Sequence, residues 1–240
     1  MPLIICFLIF ALPLGAAETE QVAQVQDGHT VILEDGRSVR LVGIQVPKES
    51  RPILAEAAHN ALADLVAGRT VTVSVTGASP DRHGRILAHL IRDDGLWIQE
   101  QMLRDGWARV YSFADNRARL AEMLTIERNA RKNKRGIWAD DFYAIRSAEN
   151  PAPLDSFQLV EGIVLDAADV HERVYLNFGA DWRTDFTATI AKSDRRVFDK
   201  AGIDPLALIG KRVRVRGWLY RYNGPALNLT HPEQIEVLTD

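Results

Sequence analysis

The sequence predicts a mainly β protein with helices (α+β) that folds as two small five-stranded barrels in tandem. Two patterns support this prediction. Short segments alternate apolar and polar residues between turns, and the order strand-strand-strand-helix-strand-strand occurs twice along the chain. The 240 residues are 47% hydrophobic and 25% charged with a net charge of −3, which is typical of a globular protein and excludes a generally basic polyanion binder.

The first barrel is predicted over residues 20–142. Three alternating segments come first, and an Asp-Gly pair between two of them is typical of a tight hairpin turn. A helix follows, with Glu49 or Ser50 as its cap and Gly68 at its end. The remaining strands and helices of this half are predicted at 70–75, 85–91, 98–105 and 117–134.

A linker at 143–156 separates the two halves, because this segment contains two prolines and few apolar residues. The second barrel is predicted over residues 157–240. Its element order is that of the OB fold, a small, partly open barrel that often binds oligonucleotides. We expect its strands and its one helix at 157–167, 173–179, 185–191, 193–201 (the helix), 211–224 and 234–238.

The first 17 residues contain no charged side chain and end in "GAA", which favours a secretory signal peptide cleaved near Ala17. A buried N-terminal strand or helix is the alternative. A stable membrane anchor is disfavoured, since the apolar run is shorter than the roughly 20 residues that a spanning helix needs. We therefore expect a periplasmic or secreted protein. Cys6 is the only cysteine, so the mature chain would have no disulfide.

Four short motifs occur in order in the first half: "DGHT" at 27–30, "RLVGIQVPK" at 40–48, "DRHGR" at 81–85 and "GIW" at 136–138. Together they resemble the staphylococcal nuclease (thermonuclease-like) family, in which the corresponding patterns read DGDT, RLxGIDxPE, DxxGR and GIW. The resemblance covers about 22–138 and implies a thermonuclease-type OB-fold barrel. The segment from 174 to 219 also resembles the second barrel of some bacterial members.

The resemblance implies a site for phosphodiester cleavage in which two aspartates bind Ca²⁺, two arginines hold the phosphate and a glutamate acts as the base. This sequence retains the two arginines, Arg40 and Arg85. His29 and Gln45 stand at the metal-ligand positions, and Lys48 stands at the position of the base. Compared with the family pattern, the site loses three negative charges and gains one positive charge.

These replacements predict a metal-free cationic pocket that binds nucleotides, single-stranded nucleic acid or another anionic or protein ligand without cleavage. No cofactor is then expected. A second hypothesis is an active phosphodiesterase with rearranged ligands, in which Asp27 or Asp81 substitutes as a carboxylate for Ca²⁺. A third hypothesis is a scaffold that binds a protein of the cell envelope and has no affinity for nucleic acid.

The second barrel contains a separate candidate surface for single-stranded nucleic acid. In "RVRVRGWLY", a strand places alternate residues on one face, and arginines near aromatic rings suit phosphates and bases. The alternative is a solvated face whose arginines pair with acids such as Asp181 and Asp185. Trp182, at a predicted hairpin tip, either packs or contacts a partner. The candidate residues of the strand are Arg212, Arg214, Arg216, Trp218 and Tyr220.

Overall fold

The computed structural model describes residues 18–238. The predicted signal peptide, residues 1–17, lies outside the described residues, so its cleavage and the export of the chain remain predictions. Among residues 18–238, no helix combines the length and the apolar character that crossing a membrane requires.

The first half forms a closed barrel, as predicted. Five strands close it in the order β1-β2-β3-β6-β5, with β3 and β6 parallel and the other pairs antiparallel. The interior is filled by the alternate apolar residues of these strands, including Val31, Leu41 and Leu90. The strands of this half are β1 (Glu18–Asp27), β2 (Thr30–Leu33), β3 (Ser38–Leu41), β4 (Ile44–Gln45), β5 (Thr70–Val75), β6 (Ile86–Arg92) and β7 (Arg109–Val110).

Three helices cover this barrel: α1 (Pro52–Val66), α2 (Ile98–Arg104) and α3 (Leu120–Lys132). The residue at the cap position of α1 is Arg51, one residue after Ser50 and two residues after Glu49. Arg51 precedes its first turn without a side-chain capping bond, so the prediction of Glu49 or Ser50 as the cap is wrong. Helix α3 begins at Leu120 and not at residue 117, because Arg119 has a left-handed φ of 58°.

The "GIW" motif packs against the turn that follows α2. Gly136 has a φ of +52°, and a Cβ at this position would lie 2.3 Å from the carbonyl oxygen of Gly106. Only glycine permits that approach, which lets Ile137 donate its backbone N–H to the same oxygen at 2.8 Å. Ile137 and Trp138 are consequently buried.

The second half repeats the strand order of the first. Strands β9 and β10 are separated by two residues and act as one long first strand, which pairs with β13 at one end and with β11 at the other. The sheet order β10-β11-β12-β14-β13-β9 therefore matches the first barrel, again with one parallel pair, β12–β14. The elements are β8 (Arg146–Ser147), β9 (Ser156–Ile163), β10 (Asp166–Val170), β11 (Arg173–Asn177), β12 (Thr187–Ile190), α4 (Lys192–Lys200), β13 (Arg212–Tyr222), β14 (Gly224–Asn228) and β15 (Ile235–Val237).

Two predictions for the second half need correction. The fifth strand of the barrel is β14, whereas the segment predicted for that role, 234–238, forms β15 and pairs along the side of β13. Pro225 obscured β14, because proline is uncommon inside strands. The predicted linker also contains ordered structure, since Tyr143 is buried and β8 pairs with β9.

The two barrels share an interface with its own apolar core. Phe157 and Leu159 of β9 pack with Trp138, Tyr143 and Ala130 of the first half. Polar contacts surround this core. Two of them reach from the first half to the segment before β15: Arg117 pairs with Glu233 at 2.7 Å, and Ser112 Oγ lies 2.7 Å from His231 Nε2.

Candidate functional site

Strand β3 and the turn before β6 bring the two predicted phosphate-binding arginines together. Arg40 lies near the end of β3, and Arg85 directly precedes β6, the parallel neighbour of β3. Burial lowers the pKa of Arg40, and the nearby positive charge of Arg85 lowers it further. Arg40 Nη2 donates to the carbonyl oxygen of Ile44 at 3.4 Å, and within residues 18–238 Arg40 forms no ion pair. Its guanidinium therefore remains able to bind an anion.

Asp81 positions Arg85. Its Oδ2 accepts from Arg85 Nε at 2.9 Å and from Arg85 Nη2 at 2.7 Å, while its Oδ1 accepts from the backbone N–H groups of His83 and Arg85. Burial opposes ionisation of Asp81, but the bonds from Arg85 outweigh it and hold the pKa of this carboxyl at about 2. Asp81 is thus an ionised carboxylate that orients one guanidinium.

His29 and Asp27 form a local pair at the β1–β2 turn. Asp27 Oδ1 accepts from the backbone N–H of His29 at 2.8 Å, and the ring nitrogen Nδ1 of His29 lies 2.7 Å from the same oxygen. Burial raises the pKa of Asp27, but the bonds and charge of His29 keep it below its ordinary value. A Cβ on Gly28 would lie 2.9 Å from the Cβ of Ala58, so this turn packs tightly against α1.

Gln45 is held by an arginine that sequence reasoning missed. Strands β4 and β7 pair, which places Arg109 opposite Gln45. Gln45 Oε1 accepts from Arg109 Nε at 2.9 Å and from Nη2 at 2.6 Å. Arg109 is buried, which lowers its pKa to about 10, and its guanidinium stacks on Tyr143 at 5.0 Å and on Phe157 at 4.7 Å. Phe157 belongs to the second barrel, so this ligand position is tied to the domain interface.

Lys48 also contacts the second barrel. Its Nζ lies 5.6 Å from the ring centroid of Trp218, a cation–π contact. Lys48, Gln45 and Trp218 line one cavity of about 310 Å³ between the two barrels, together with Arg109 and Phe157. The replaced base position and one replaced metal position therefore lie at the edge of the interface.

These residues do not fit the Ca²⁺ ion that the family generally uses. Ca²⁺ takes six to eight oxygen ligands, with carboxylates supplying most of the attraction. The two nearby carboxylates, Asp27 and Asp81, are engaged by His29 and Arg85, and the amide oxygen of Gln45 is engaged by Arg109. Among residues 18–238, no three His, Cys, Asp or Glu side chains are grouped so that they could hold a metal ion.

The three arginines predicted to bind nucleic acid, Arg212, Arg214 and Arg216 of β13, form ion pairs rather than a free cationic face. Arg212 and Arg214 pair with Glu161, and Arg214 also pairs with Glu236. Arg216 is only 4% exposed and pairs with Glu127 of α3 at 2.9 Å. The prediction that Arg216 contacts nucleic acid is wrong, because a phosphate cannot reach this side chain in the folded chain. The predicted alternative partners, Asp181 and Asp185, are wrong as well.

The two aromatic residues predicted on β13 are placed differently. Trp218 is exposed beside Lys48, at the mouth of the cavity between the barrels. Tyr220 donates its hydroxyl to Asn228 Oδ1 at 2.9 Å, across the β13–β14 pair. Trp218 therefore lies beside the first-barrel site, whereas Tyr220 does not line this cavity. A contact of either ring with nucleic acid stays a prediction.

Arg109, Phe157 and Tyr143 complete the surroundings of the site, and none was predicted from the sequence. The buried strand β7 has only two residues and gives no periodic signal. The sequence therefore does not distinguish Arg109 from a solvent-exposed arginine. The pairing of β4 with β7 spans more than 60 residues, and no local pattern encodes it. The sequence signal that Arg109 is buried was its position between the apolar residues Ala108 and Val110, both of which are buried in the structure.

Comparison with known proteins agrees with this architecture. The sequence model described as "Staphylococcal nuclease homologue" matches residues 38–140, which include Arg40, Gln45, Lys48 and Arg85. An Escherichia coli protein described as an uncharacterized endonuclease is 35% identical over 144 residues, covering 58% of this chain and 89% of that protein. A staphylococcal-like nuclease of Arabidopsis thaliana is 38% identical over 101 residues, covering 42% of this chain and 29% of that protein. The chain belongs to the family of staphylococcal nuclease homologues.

Proposed function

We propose that this protein is an exported member of the family that binds nucleotides or single-stranded nucleic acid through Arg40 and Arg85 and does not hydrolyse the phosphodiester. One observation carries the proposal: each of the three replaced family positions has another partner. His29 contacts Asp27, Gln45 accepts from Arg109, and Lys48 lies over Trp218.

The two arginines supply the affinity. A guanidinium donates up to five N–H bonds in a plane and suits a phosphate better than a lysine does. Arg85 is fixed by Asp81, and Arg40 is partly buried beside it with no carboxylate partner among residues 18–238, so a phosphate would pair with a pre-positioned cationic group. Lys48 adds a third positive charge on the side of the second barrel.

In the described part of the chain, the same site holds no unengaged base and no group of metal ligands that could activate water. In-line attack needs a base in contact with the water or a metal ion that lowers the pKa of the water. At the family's base position an ammonium group faces an indole ring, and the carboxylates Asp27 and Asp81 already contact His29 and Arg85. Binding without turnover follows from this arrangement.

The test is calorimetric titration of the chain lacking residues 1–17 with thymidine 3′,5′-bisphosphate and with a ten-residue oligothymidylate, in Ca²⁺ and in a chelator. We expect the same affinity in both conditions and a loss of at least about tenfold in Arg40→Ala/Arg85→Ala. Arg69→Ala is the matched control, because Arg69 is an exposed arginine of the same barrel, paired with Asp93 at 3.4 Å.

The rival function is metal-dependent cleavage, which the names of the endonuclease and nuclease relatives favour. Plasmid cleavage that requires Ca²⁺ and disappears in Arg40→Ala/Arg85→Ala would establish it in place of binding alone. If neither nucleotide nor oligothymidylate binds at low salt, the proposal fails and an envelope protein-binding scaffold becomes the better hypothesis. Binding to oligothymidylate should also weaken steeply as salt is raised, because phosphate contacts release counterions.

A further inference from the structure

The second barrel has a groove of about 400 Å³ lined by strands β10, β11, β12 and β14. Along β11 and β12, the residues that line the groove alternate with those that fill the apolar core, so the groove lies on the outer face of the barrel. Three large apolar side chains that line it are exposed to solvent: Trp182 by 53%, Tyr222 by 64% and Val170 by 46%. Exposed aromatic side chains grouped in one groove are typical of a binding site, whereas scattered ones are not. This groove shares no lining residue with the cavity at Gln45 and Lys48, and neither Arg40 nor Arg85 lines it.

The groove lies where barrels of this topology bind polymers. Strands β11 and β12 are the second and third strands of the barrel, and Asn223 belongs to the loop between its fourth and fifth strands. In OB folds this face and this loop bind oligonucleotides or oligosaccharides. The side chains of the groove decide between these two classes.

The charge of the groove disfavours a nucleic acid. Asp166 is the one charged side chain among the groove residues that the structure describes, and no lysine or arginine lines the groove. Two arginines lie beside the groove without lining it: Arg173 donates to Thr189 Oγ1 at 3.4 Å, and Arg183 stacks on the ring of Trp182 at 4.4 Å. Binding of single strands usually combines stacking rings with a positively charged groove, and this second component is missing from the lining.

The polar groups suit a chain of neutral sugars. A row of hydrogen bonds crosses the floor of the groove: Thr187 Oγ1 donates to Asn177 Oδ1 at 3.2 Å, and Asn177 Nδ2 donates to Asp166 Oδ2 at 3.5 Å. These bonds orient a carboxylate and an amide whose remaining acceptor lone pairs and N–H group can form hydrogen bonds with sugar hydroxyls. The rings of Tyr222 and Trp182 offer negative faces to the polarised C–H groups of a pyranose.

We propose that the groove of the second barrel, lined by Trp182, Tyr222, Asn177 and Asp166, binds a neutral oligosaccharide. The aromatic rings stack on the sugar rings, and the Asp166–Asn177 pair accepts and donates hydrogen bonds to the hydroxyls. This site does not depend on Arg40 or Arg85, so its test is independent of the function proposed for the first barrel.

The experiment is titration of the chain lacking residues 1–17 with chitohexaose, cellohexaose and maltohexaose, and with a ten-residue oligothymidylate as the polyanion. We expect at least one hexasaccharide to bind with a dissociation constant of about 1 mM or tighter, and to bind about tenfold more weakly to Trp182→Ala and to Tyr222→Ala. Both side chains are exposed, so neither change should prevent folding.

Three matched variants separate stacking from surface effects. Tyr222→Phe keeps the ring and should keep the affinity, and Ile209→Ala removes an exposed apolar side chain outside the groove and should also keep it. Arg40→Ala/Arg85→Ala should bind the sugar like the unmodified chain. The proposal is overturned if none of the three hexasaccharides binds or if sugar binding persists in both alanine variants. It is also overturned if Trp182→Ala and Tyr222→Ala abolish binding of oligothymidylate, because the groove would then bind nucleic acid.

Discussion

Glu127→Gln tests how strongly the two barrels are joined. The Glu127 carboxylate is fully buried and contacts three groups: Arg216 of the second barrel at 2.9 and 3.1 Å, Arg131 at 2.8 Å, and the backbone N–H of Val110 at 2.6 Å. Burial opposes its ionisation, but the two guanidinium groups outweigh burial and keep the pKa of Glu127 below its ordinary value. The glutamine has nearly the same shape and removes only the negative charge.

The expected cost follows from what remains behind. Arg216 is 4% exposed and has no other carboxylate partner within residues 18–238, so the variant leaves a buried positive charge uncompensated. Removing one partner of such a pair typically costs about 3–5 kcal/mol of unfolding free energy. In a chain of this size that corresponds to a fall in melting temperature on the order of 10 °C.

The assay is urea unfolding followed by circular dichroism and by tryptophan fluorescence, with Glu122→Gln as the matched control. Glu122 lies on the same helix, but its pair with Arg119 is exposed, so the control should lose less than about 1 kcal/mol. Equal losses in the two variants, or a loss below about 1 kcal/mol for Glu127→Gln, would refute the view that this buried pair holds the interface together.

Three further predictions concern the same regions. Burial is the main cause that lowers the pKa of His231 to about 4 from an ordinary value of 6.5. The stability that the neutral ring contributes above pH 6.5 should therefore be lost as the pH falls toward 4, by up to about 3 kcal/mol. Urea midpoints of the unmodified chain and of His231→Gln across this pH range check the prediction, and parallel curves would contradict it. Restoring the family residues in His29→Asp/Gln45→Asp/Lys48→Glu should produce Ca²⁺-dependent nucleotide binding, measured by titration against the uncharged Asn/Asn/Gln triple variant; no response to Ca²⁺ would show that other residues also removed the metal site. Phe157→Ala should cost about 3–5 kcal/mol in the same unfolding assay and Phe157→Leu clearly less, since Phe157 fills the interface core; a cost below about 1 kcal/mol for the alanine would mean that the interface closes without this ring.

The sequence was sufficient for the two-barrel architecture, except for the fifth strand β14, because the other barrel strands alternate with a clear period of two. The alternation places Arg212, Arg214 and Arg216 on one face of β13, and Val213 and Val215 on the other face are buried, as this pattern requires. The pattern could not show that the arginine face packs against the first barrel, because Glu127, which pairs with Arg216, is 89 residues away. Strand alternation reports which side chains share a face, and it does not report what covers that face.

The candidate site shows the same division. The motif order identified Arg40 and Arg85 and showed that both metal aspartates and the glutamate were replaced. The contacts of Gln45 and Lys48, two of the replacing residues, involve Arg109, Phe157 and Trp218. Each of these three residues lies far along the chain and is brought to the site by the fold. The replacement of three family residues can be read from the local motifs, whereas the contacts that the new residues make can be seen only in the fold.

The interface between the barrels also determines which shortened chains are worth making. A chain cut before Ser156 would lose Phe157 and so uncover Tyr111, Phe142 and Tyr143, which pack around it. It would also leave the buried carboxylate of Glu127 without Arg216. We therefore expect the separated nuclease-like half to be less stable than the same half within the whole chain. Solubility and activity measured on the isolated first barrel would therefore belong to a molecule that exposes apolar rings and contains a carboxylate without its arginine partner.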